Sequence, residues 1–193
     1  MNRVTEDEMS AVDSIIIKGK SGGYMDRIAK FEKVSKKQFV TDWLDTFGGA
    51  EETAEQKYDL IKLPKRATKG SAGYDFCSPS GFTLKPGESI KIPTGIRASM
   101  REDYVLAVFP RSGLGFKFRL QLNNTVGIID SDYYHSDNEG HIFIKLTNDS
   151  KEGRVLELEA GDGFAQGIFF PFGITEDDDV TQVRNGGFGS TTK

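Results

Sequence analysis

Five glycine-containing polar segments interrupt the chain after residue 70, and their residue types suit the chemistry of phosphates and activated water. They lie at residues 72–75, 110–115, 124–133, 161–166 and 187–191. In the second segment, Arg111 offers a fork of cationic donors beside the Ser112 hydroxyl and the open backbone of Gly113, a combination that suits a phosphate. The last segment brings glycines and hydroxyls beside the aromatic face of Phe188. These groups suit the phosphates and the base or sugar of a nucleotide.

Three aspartates add acid–base capacity to these segments. Asp75, Asp130 and Asp132 supply carboxylates that can hold a hydrated magnesium ion or activate a water molecule. Taken singly, these signals also have ordinary explanations, because glycine-rich loops are often tight turns and an aspartate beside a glycine is commonly a turn former. The residue types alone therefore leave both interpretations open.

Short strands separated by turns are expected to position these segments. Residues 141–148 alternate between apolar and polar side chains, while residues 105–109 and 165–170 are nearly continuous apolar or small runs. Both patterns are typical of strands, and turn residues occur at 85–88 and 151–154. Beyond residue 58 the sequence predicts an all-β domain, a jelly roll or distorted barrel of many short strands.

The first 57 residues differ in character from the rest of the chain. Ser35 and Gln38 make a capping box, and apolar residues recur at helical spacing up to Gly48, so we predict an amphipathic helix over Lys36–Phe47. Its aromatic stripe is expected to dock on the domain core or a neighbouring subunit, with a separate partner site as the less favoured alternative. Residues 51–56 are interpreted as a linker or short helix, and residues 1–23 are compatible with disorder.

Composition narrows the class of protein. With 193 residues, 37% of them hydrophobic, the chain suits one packed core rather than two. Its formal charge of −4 repels polyanions, so no nucleic-acid polymer is expected as a partner. The longest apolar runs fall far short of the ~20 residues that span a bilayer, and the single cysteine, Cys77, cannot form an intramolecular disulfide. We expect a cytoplasmic protein without a membrane span.

In this order, the five segments resemble the five motifs of the trimeric dUTPase family. The resemblance extends from Ala72 to Thr191, nearly all of the predicted β domain, and residues 111–133, RSGLGFKFRLQLNNTVGIIDSDY, follow the family pattern without a gap. Five ordered motifs make chance a poor explanation. The resemblance implies a homotrimer with the distorted jelly-roll fold of dUTPases, which hydrolyses dUTP to dUMP and pyrophosphate with the help of Mg²⁺.

The resemblance also implies a role for each catalytic residue. Asp130 would be the general base that deprotonates a water for in-line attack on the α-phosphorus, chemistry that needs positioning and charge neutralisation more than covalent help. Asp75 would orient a metal-bound water, and Gln166 would hydrogen-bond near the α-phosphate. The magnesium ion would be chelated mainly by the substrate's phosphates, with no direct protein ligand and only water-mediated contacts to Asp75 and Gln166.

The same resemblance implies how the chain binds the nucleotide. Arg111, Ser112 and Gly113 would hold the phosphate tail. Asn124 and Gly127 belong to the hairpin that would read the uracil edge through backbone groups.

The third and fifth motifs complete the implied substrate contacts. Tyr133 would pack under the deoxyribose and exclude a 2′-hydroxyl, and Phe188 would stack on the uracil. The remaining residues belong to the C-terminal arm and would close over the γ-phosphate: Arg184, Gly189, Ser190 and Thr191.

Each active site of the family is shared among three subunits, so the resemblance implies an inactive monomer. We divide the chain accordingly into an N-terminal extension (residues 1–57), a β domain (58–183) and a flexible arm (184–193) that orders when nucleotide binds.

The sequence departs from the family pattern at three places. Residues 134–139 form an insertion before Gly140, next to the expected sugar and base site, where it could alter access or base selectivity. Gly163 stands where a basic residue is usual, and the fifth motif is one residue short between Arg184 and Phe188.

Two alternative functions stay open on the sequence. A related dCTP deaminase would share the scaffold, but Lys145 stands where that branch places a catalytic glutamate, and a lysine cannot act as that general base at neutral pH. The second alternative is a regulatory or binding protein on the dUTPase scaffold, motivated by the N-terminal helix and the insertion.

Overall fold

The computed structural model of the protein describes residues 26–182 and residue 184. The described strands are β1 (Ala29–Lys33), β2 (Lys65–Arg66), β3 (Tyr74–Cys77), β4 (Phe82–Leu84), β5 (Ser89–Pro93), β6 (Ile96–Met100), β7 (Tyr104–Pro110), β8 (Leu120–Leu122), β9 (Gly127–Ile129), β10 (Phe143–Asn148), β11 (Leu156–Leu158) and β12 (Gly163–Pro171). The described helices are α1 (Lys36–Phe47), α2 (Glu51–Leu60), α3 (Ser112–Phe118) and a 3-10 helix (Ser131–His135).

The described strands form four antiparallel sheets. The largest has the order β2-β3-β12-β7-β9, a second has the order β5-β10-β8, and β1-β6 and β4-β11 form two-stranded sheets. Strands β7 and β12 pair over seven residues, from Pro110 opposite Ala165 to Tyr104 opposite Pro171, and give the largest sheet its centre. The all-β prediction with a short helical N-terminal extension is confirmed, although these sheets stay open and do not close into one barrel.

The predicted strands are present with shifted ends. Strand β10 starts at Phe143 instead of residue 141, because the preceding backbone is engaged elsewhere: His141 N–H donates to the Asn138 carbonyl and Ile142 N–H to the Ile96 carbonyl. Strands β7 and β12 extend beyond the apolar runs that predicted them. Periodicity located the strands, but the hydrogen bonds of their neighbours set the ends.

One hydrophobic core joins the sheets to the N-terminal helix. Leu106, Leu146 and Phe164 are fully buried, and the same cluster contains Phe39 and Trp43 from α1. Burying a phenylalanine side chain stabilises a fold by roughly 1.5–3 kcal/mol, so α1 is an integral part of this core. The prediction that its aromatic stripe docks on the domain core is confirmed.

Helix α1 has the predicted bounds and half of the predicted capping box. Ser35 Oγ accepts a hydrogen bond from Gln38 N–H at 3.1 Å, and Gly48 ends the helix with a φ of 67°, a left-handed conformation that favours glycine. The Gln38 side chain does not return to the Ser35 N–H. It donates instead to Asp42 at 2.9 Å.

The second helix is longer than the sequence predicted. Helix α2 spans Glu51–Leu60. It has a small buried face that its charged sequence did not indicate. Ala54 is fully buried, and the Tyr58 hydroxyl donates to the Val34 carbonyl at 2.8 Å. The pair of helices therefore packs beside β1 as one unit.

The predicted compatibility of residues 1–23 with disorder and the predicted flexibility of the arm beyond Arg184 lie outside the described residues. Within residues 26–182, no helix has the length and apolar character needed to cross a lipid bilayer.

Candidate active site

The first group of predicted site residues meets across three neighbouring strands, and we call Asp75, Arg111, Gly163 and Gln166 the Arg111 cluster. Gln166 on β12 lies opposite Asp75 on β3, and its Nε2 donates to the Pro110 carbonyl at 3.0 Å. Arg111 follows β7 directly. Its Nε lies 3.2 Å from Asp75 Oδ1, and its NH1 donates to the Gly163 carbonyl at 3.1 Å. Three segments far apart in sequence thus form one charged site.

Two glycines make room for this cluster. A Cβ added to Gly163 would lie 2.6 Å from Arg111 NH1, and one added to Gly73 would lie 2.5 Å from Gln166 Oε1. Both distances are too short for a side-chain carbon. Gly163, which stands where a basic residue is usual in the family pattern, thus lies directly against the Arg111 guanidinium in this structure.

The segment after Arg111 is helical rather than a loop. Helix α3 begins at Ser112, and Gly115 N–H donates to the Arg111 carbonyl at 2.9 Å. Ser112 and Gly113 are exposed, and the N–H groups of a first helical turn have no acceptor within their own helix. The turn therefore presents a hydroxyl and backbone donors beside the Arg111 cluster, as the phosphate interpretation requires.

A second group, which we call the Asp130 cluster, consists of Asp130, Asp132, Tyr133 and Arg184. Asp130 follows β9 and precedes the 3-10 helix that carries Asp132 and Tyr133. Arg184 bridges both carboxylates: NH2 lies 2.5 Å from Asp130 Oδ2, and Nε lies 2.9 Å from Asp132 Oδ1. The two carboxylates remain about half exposed, at 50% and 48% of their side-chain surface, so other molecules can reach them.

Tyr133 is buried at the base of the Asp130 cluster. Only 3% of its surface is exposed, and burial raises the pKa of its hydroxyl above the ordinary value against a smaller opposing effect from the Asn138 hydrogen bond. The hydroxyl is therefore protonated at neutral pH and donates to the His141 carbonyl at 2.8 Å. The predicted sugar-contacting residue is thus a fixed part of the fold.

A pocket of about 490 Å³ lies beside the turn that connects β8 to β9, two strands that belong to different sheets and do not pair as a hairpin. Asn124 and Gly127, both predicted to read a base, line this pocket, and Thr125 lies in the turn with a φ of 66°. The other lining residues are apolar side chains, amides and two lysines: Lys91, Val108, Leu122, Asn123, Ile129, Asn138, Ile142, Phe143, Ile144 and Lys145. An apolar slot with a few polar groups suits a planar heterocyclic base.

The two clusters lie at opposite ends of β7. Strand β9 pairs with β7 so that Gly127 faces Val108 and Ile129 faces Leu106, and extending this register places Asp130 level with Val105. Between that level and Arg111, β7 advances about 20 Å at its usual rise per residue. A single chain therefore keeps Asp130 too far from the Arg111 cluster to act on the same phosphate.

Several pocket residues were not singled out by the sequence predictions. Lys91 lies directly opposite Lys145 across β5 and β10, and Phe143 and Asn138 complete the same wall. Of Lys91, Phe143 and Asn138, only Asn138 could have been suspected from the sequence, because it lies in the insertion. Phe188, Gly189, Ser190 and Thr191, by contrast, were predicted but lie outside the described residues. Among the residues that are described, no group of three or more histidine, cysteine, aspartate or glutamate side chains could hold a metal ion.

Comparison with known proteins decides the family. The sequence model described as dUTPase matches residues 59–192, which is more than two thirds of the chain. The chain belongs to the dUTPase family. The deoxyuridine 5'-triphosphate nucleotidohydrolase of Lactococcus lactis subsp. lactis (strain IL1403) is 42% identical over 146 residues, which cover 74% of this chain and 96% of the relative. The corresponding protein of Haemophilus influenzae (strain PittEE) is 40% identical over 139 residues, covering 68% and 87%.

Solved structures agree with this dUTPase assignment. The crystal structure of dUTPase from Streptococcus mutans is 35% identical, with a TM-score of 0.56 over 76% of this chain and 98% of that one. The dUTPase from phage phi11 of S. aureus is 22% identical, with a TM-score of 0.55 over 81% and 97%, and supports the fold alone. The jelly-roll type of fold predicted from the sequence is therefore confirmed.

Proposed function

We propose that the protein hydrolyses dUTP to dUMP and pyrophosphate in active sites shared between subunits. Membership of the dUTPase family supports the reaction. The observation that carries the shared site is the separation of Asp130 from the Arg111 cluster along β7. Since the proposed general base, Asp130, and the proposed grip on the phosphate tail, Arg111, lie in different clusters, each site takes the Arg111 cluster from one chain and the Asp130 cluster from another.

In the proposed reaction, Asp130 takes a proton from a water molecule, and the water oxygen attacks the α-phosphorus. A bond forms between this oxygen and phosphorus while the bond from the α-phosphorus to the bridging oxygen breaks, so the electron pair leaves with pyrophosphate. The exposed carboxylate of Asp130 can reach such a water. Arg184 contacts one oxygen of Asp130, and it would exchange this contact for the γ-phosphate as the arm closes.

The Arg111 cluster would hold the phosphates. A guanidinium has five N–H donors, and the described contacts of Arg111 use Nε and NH1, which leaves the outer edge to a phosphate. Ser112 and the backbone of Gly113 would donate to the leaving phosphate oxygens. Fixed donors of this kind stabilise charge that develops during the reaction.

Asp75 and Gln166 fit a hydrated magnesium ion that the substrate itself chelates. Both are oxygen-bearing side chains on adjacent strands, and Mg²⁺ prefers oxygen ligands while retaining several of its waters. The ion would neutralise charge on the triphosphate. The two side chains would hold its waters in place without binding it directly.

The pocket beside the β8–β9 turn would hold uracil, and Tyr133 would support the deoxyribose. Asn124 and Gly127 line that pocket, and their backbone groups would pair with the base edge. Phe188 would cover the base, and Gly189, Ser190 and Thr191 would close over the phosphates with Arg184.

A homotrimer would complete these sites. Exposed apolar side chains suited to contact between copies lie on α3, on the edge strand β9 and at the end of β12: Phe116, Ile128 and Phe170. Within this assembly, residues 1–57 would form an extension to each β domain (58–183) and residues 184–193 would reach a neighbouring site. The single cysteine suits a cytoplasmic location.

Pyrophosphate release from dUTP, dCTP, dTTP and UTP with Mg²⁺ tests this function, with Asp130→Asn as the decisive variant. We expect activity confined to dUTP and a loss of at least about a hundredfold in kcat for Asp130→Asn, the range typical of a lost general base. Asp132→Asn is the matched control, since Asp132 also pairs with Arg184 but carries no proposed chemistry. Equal losses in both variants, or hydrolysis of all four nucleotides, would contradict the assignment.

A further inference from the structure

The insertion at residues 134–139 packs against the N-terminal segment instead of projecting into solvent. The Tyr134 hydroxyl donates to Glu32 of β1 at 2.5 Å. The Glu139 carboxylate accepts from both the N–H and the hydroxyl of Ser35, each at 2.7 Å. Arg97 lies over the Tyr134 ring at 3.5 Å. The insertion therefore connects β1 and the start of α1 to the 3-10 helix that carries the sugar-contacting tyrosine.

Asn138 is the residue of this insertion that reaches Tyr133. Its Nδ2 donates to the Tyr133 hydroxyl at 2.9 Å, and that hydroxyl donates in turn to the His141 carbonyl at 2.8 Å. Both hydrogen bonds fix the tyrosine ring at its far end. The ring then cannot withdraw without breaking one of them.

The opposite side of the Asn138 amide shows that this arrangement has a cost. Its Oδ1 is buried, and within the described part of the chain it has no hydrogen-bond partner. A buried acceptor without a partner destabilises a fold. The contacts that hold the amide in this orientation are those of its Nδ2, to the Tyr133 hydroxyl at 2.9 Å and to the His141 carbonyl at 3.4 Å.

Helix α1 contacts His141, the residue whose carbonyl accepts the hydrogen bond from the Tyr133 hydroxyl. His141 is fully buried, and its Nε2 accepts from Gly95 N–H at 2.7 Å, so the ring proton is on Nδ1 and points to Asp42 Oδ2 at 2.5 Å. Burial would raise the pKa of Asp42, but the hydrogen bonds from His141 and Gln38 lower it below the ordinary value. An ionised Asp42 on α1 therefore anchors the residue whose carbonyl receives the Tyr133 hydroxyl.

We propose that Asn138 is a positioning residue that fixes Tyr133 and thereby sets the preference for deoxyribose over ribose. This inference rests on the proposed function, in which the Tyr133 ring leaves no room for a 2′-hydroxyl. A ring that can shift by a fraction of an ångström admits that oxygen. The insertion and the N-terminal extension then act on sugar selectivity without touching the sugar.

The test compares kcat/KM for dUTP with kcat/KM for UTP in the wild type and in Asn138→Ala. We expect the dUTP preference to fall about five- to tenfold, the effect of one lost buried hydrogen bond. Asp137→Ala is the matched control, because Asp137 is the exposed neighbour of Asn138 in the same insertion. The ratio of kcat/KM for dUTP to kcat/KM for UTP should stay at the wild-type value in this control. A ratio is unaffected by a smaller fraction of folded enzyme, so partial unfolding cannot imitate the expected result.

A double substitution separates positioning from direct contact. In a Tyr133→Phe background, Asn138→Ala should change the ratio no further, because the hydroxyl it positions is gone. An additive effect there overturns the proposal, as does an unchanged ratio in the single variant. The proposal is also overturned if Asn138→Ala loses its preference for dUTP over dCTP but keeps its preference for deoxyribose over ribose, since Asn138 would then read the base. Failure of the proposed function is distinct, because the wild type itself would not release pyrophosphate from dUTP.

Discussion

At the scale of single residues, the candidate site depends on close approaches that leave no room for side-chain atoms. Arg111 is held between the Asp75 carboxylate and the Gly163 carbonyl, and a Cβ at position 163 would collide with its guanidinium. The sequence pointed to Arg111 and Asp75 through their motifs. It did not predict their ion pair, because the pairing of β3 with β12 that brings them together depends on the whole sheet.

A methyl group at position 163 should therefore act on substrate binding. In Gly163→Ala the new Cβ would lie 2.6 Å from Arg111 NH1, so the guanidinium must shift away from its place. We expect the KM for dUTP to rise about tenfold, as for the loss of one charged hydrogen bond, with a small change in melting temperature. Gly70→Ala is the control, since nothing lies within 4 Å of a Cβ there, and a KM equally raised in both variants would contradict this account.

At the scale of elements, the N-terminal helix shows what the sequence can and cannot predict. The spacing of Phe39, Val40 and Trp43 predicted its bounds and its buried face, because local periodicity and a glycine stop are properties of the segment itself. The contact of Asp42 with His141 joins residues 99 positions apart, so no local pattern could indicate it. The buried face of α2 could not be predicted either, because Ala54 is a single small apolar residue among charged neighbours and makes no hydrophobic pattern.

The pair of Asp42 and His141 should make stability depend on pH in the acid range. The folded pKa of Asp42 is lowered, so its contribution is present above the unfolded pKa of about 3.9 and is lost as pH falls through the folded value. Asp42→Asn should therefore cost about 1 kcal/mol in the free energy of unfolding at pH 7, and less at an acid pH below the lowered pKa of Asp42. Denaturant unfolding at both pH values checks this.

Asp45→Asn, on the exposed side of the same helix, is the control for that measurement. It should leave the free energy of unfolding unchanged at both pH values. A cost for Asp42→Asn that stays the same in acid would mean that the charge of Asp42 contributes nothing to the contact.

At the scale of the whole molecule, the central feature is the separation of the two clusters within one chain. The Arg111 cluster and the Asp130 cluster occupy opposite ends of β7, and about 20 Å separates them along the strand. The resemblance to the family indicated which residues should belong together in a site. The strand register could not be predicted from the sequence, and it is the observation on which our proposal of sites shared between subunits rests.

Mixing two inactive variants tests this central claim most directly. Arg111→Ala and Asp130→Asn chains are unfolded together, refolded as mixed assemblies and assayed for pyrophosphate release from dUTP, with each variant refolded alone as the control. In random mixtures about a quarter of the shared sites receive an intact Arg111 from one chain and an intact Asp130 from another, so about a quarter of the wild-type activity should return. If the mixture stays as inactive as either variant alone, both residues act within one chain and the shared site is wrong.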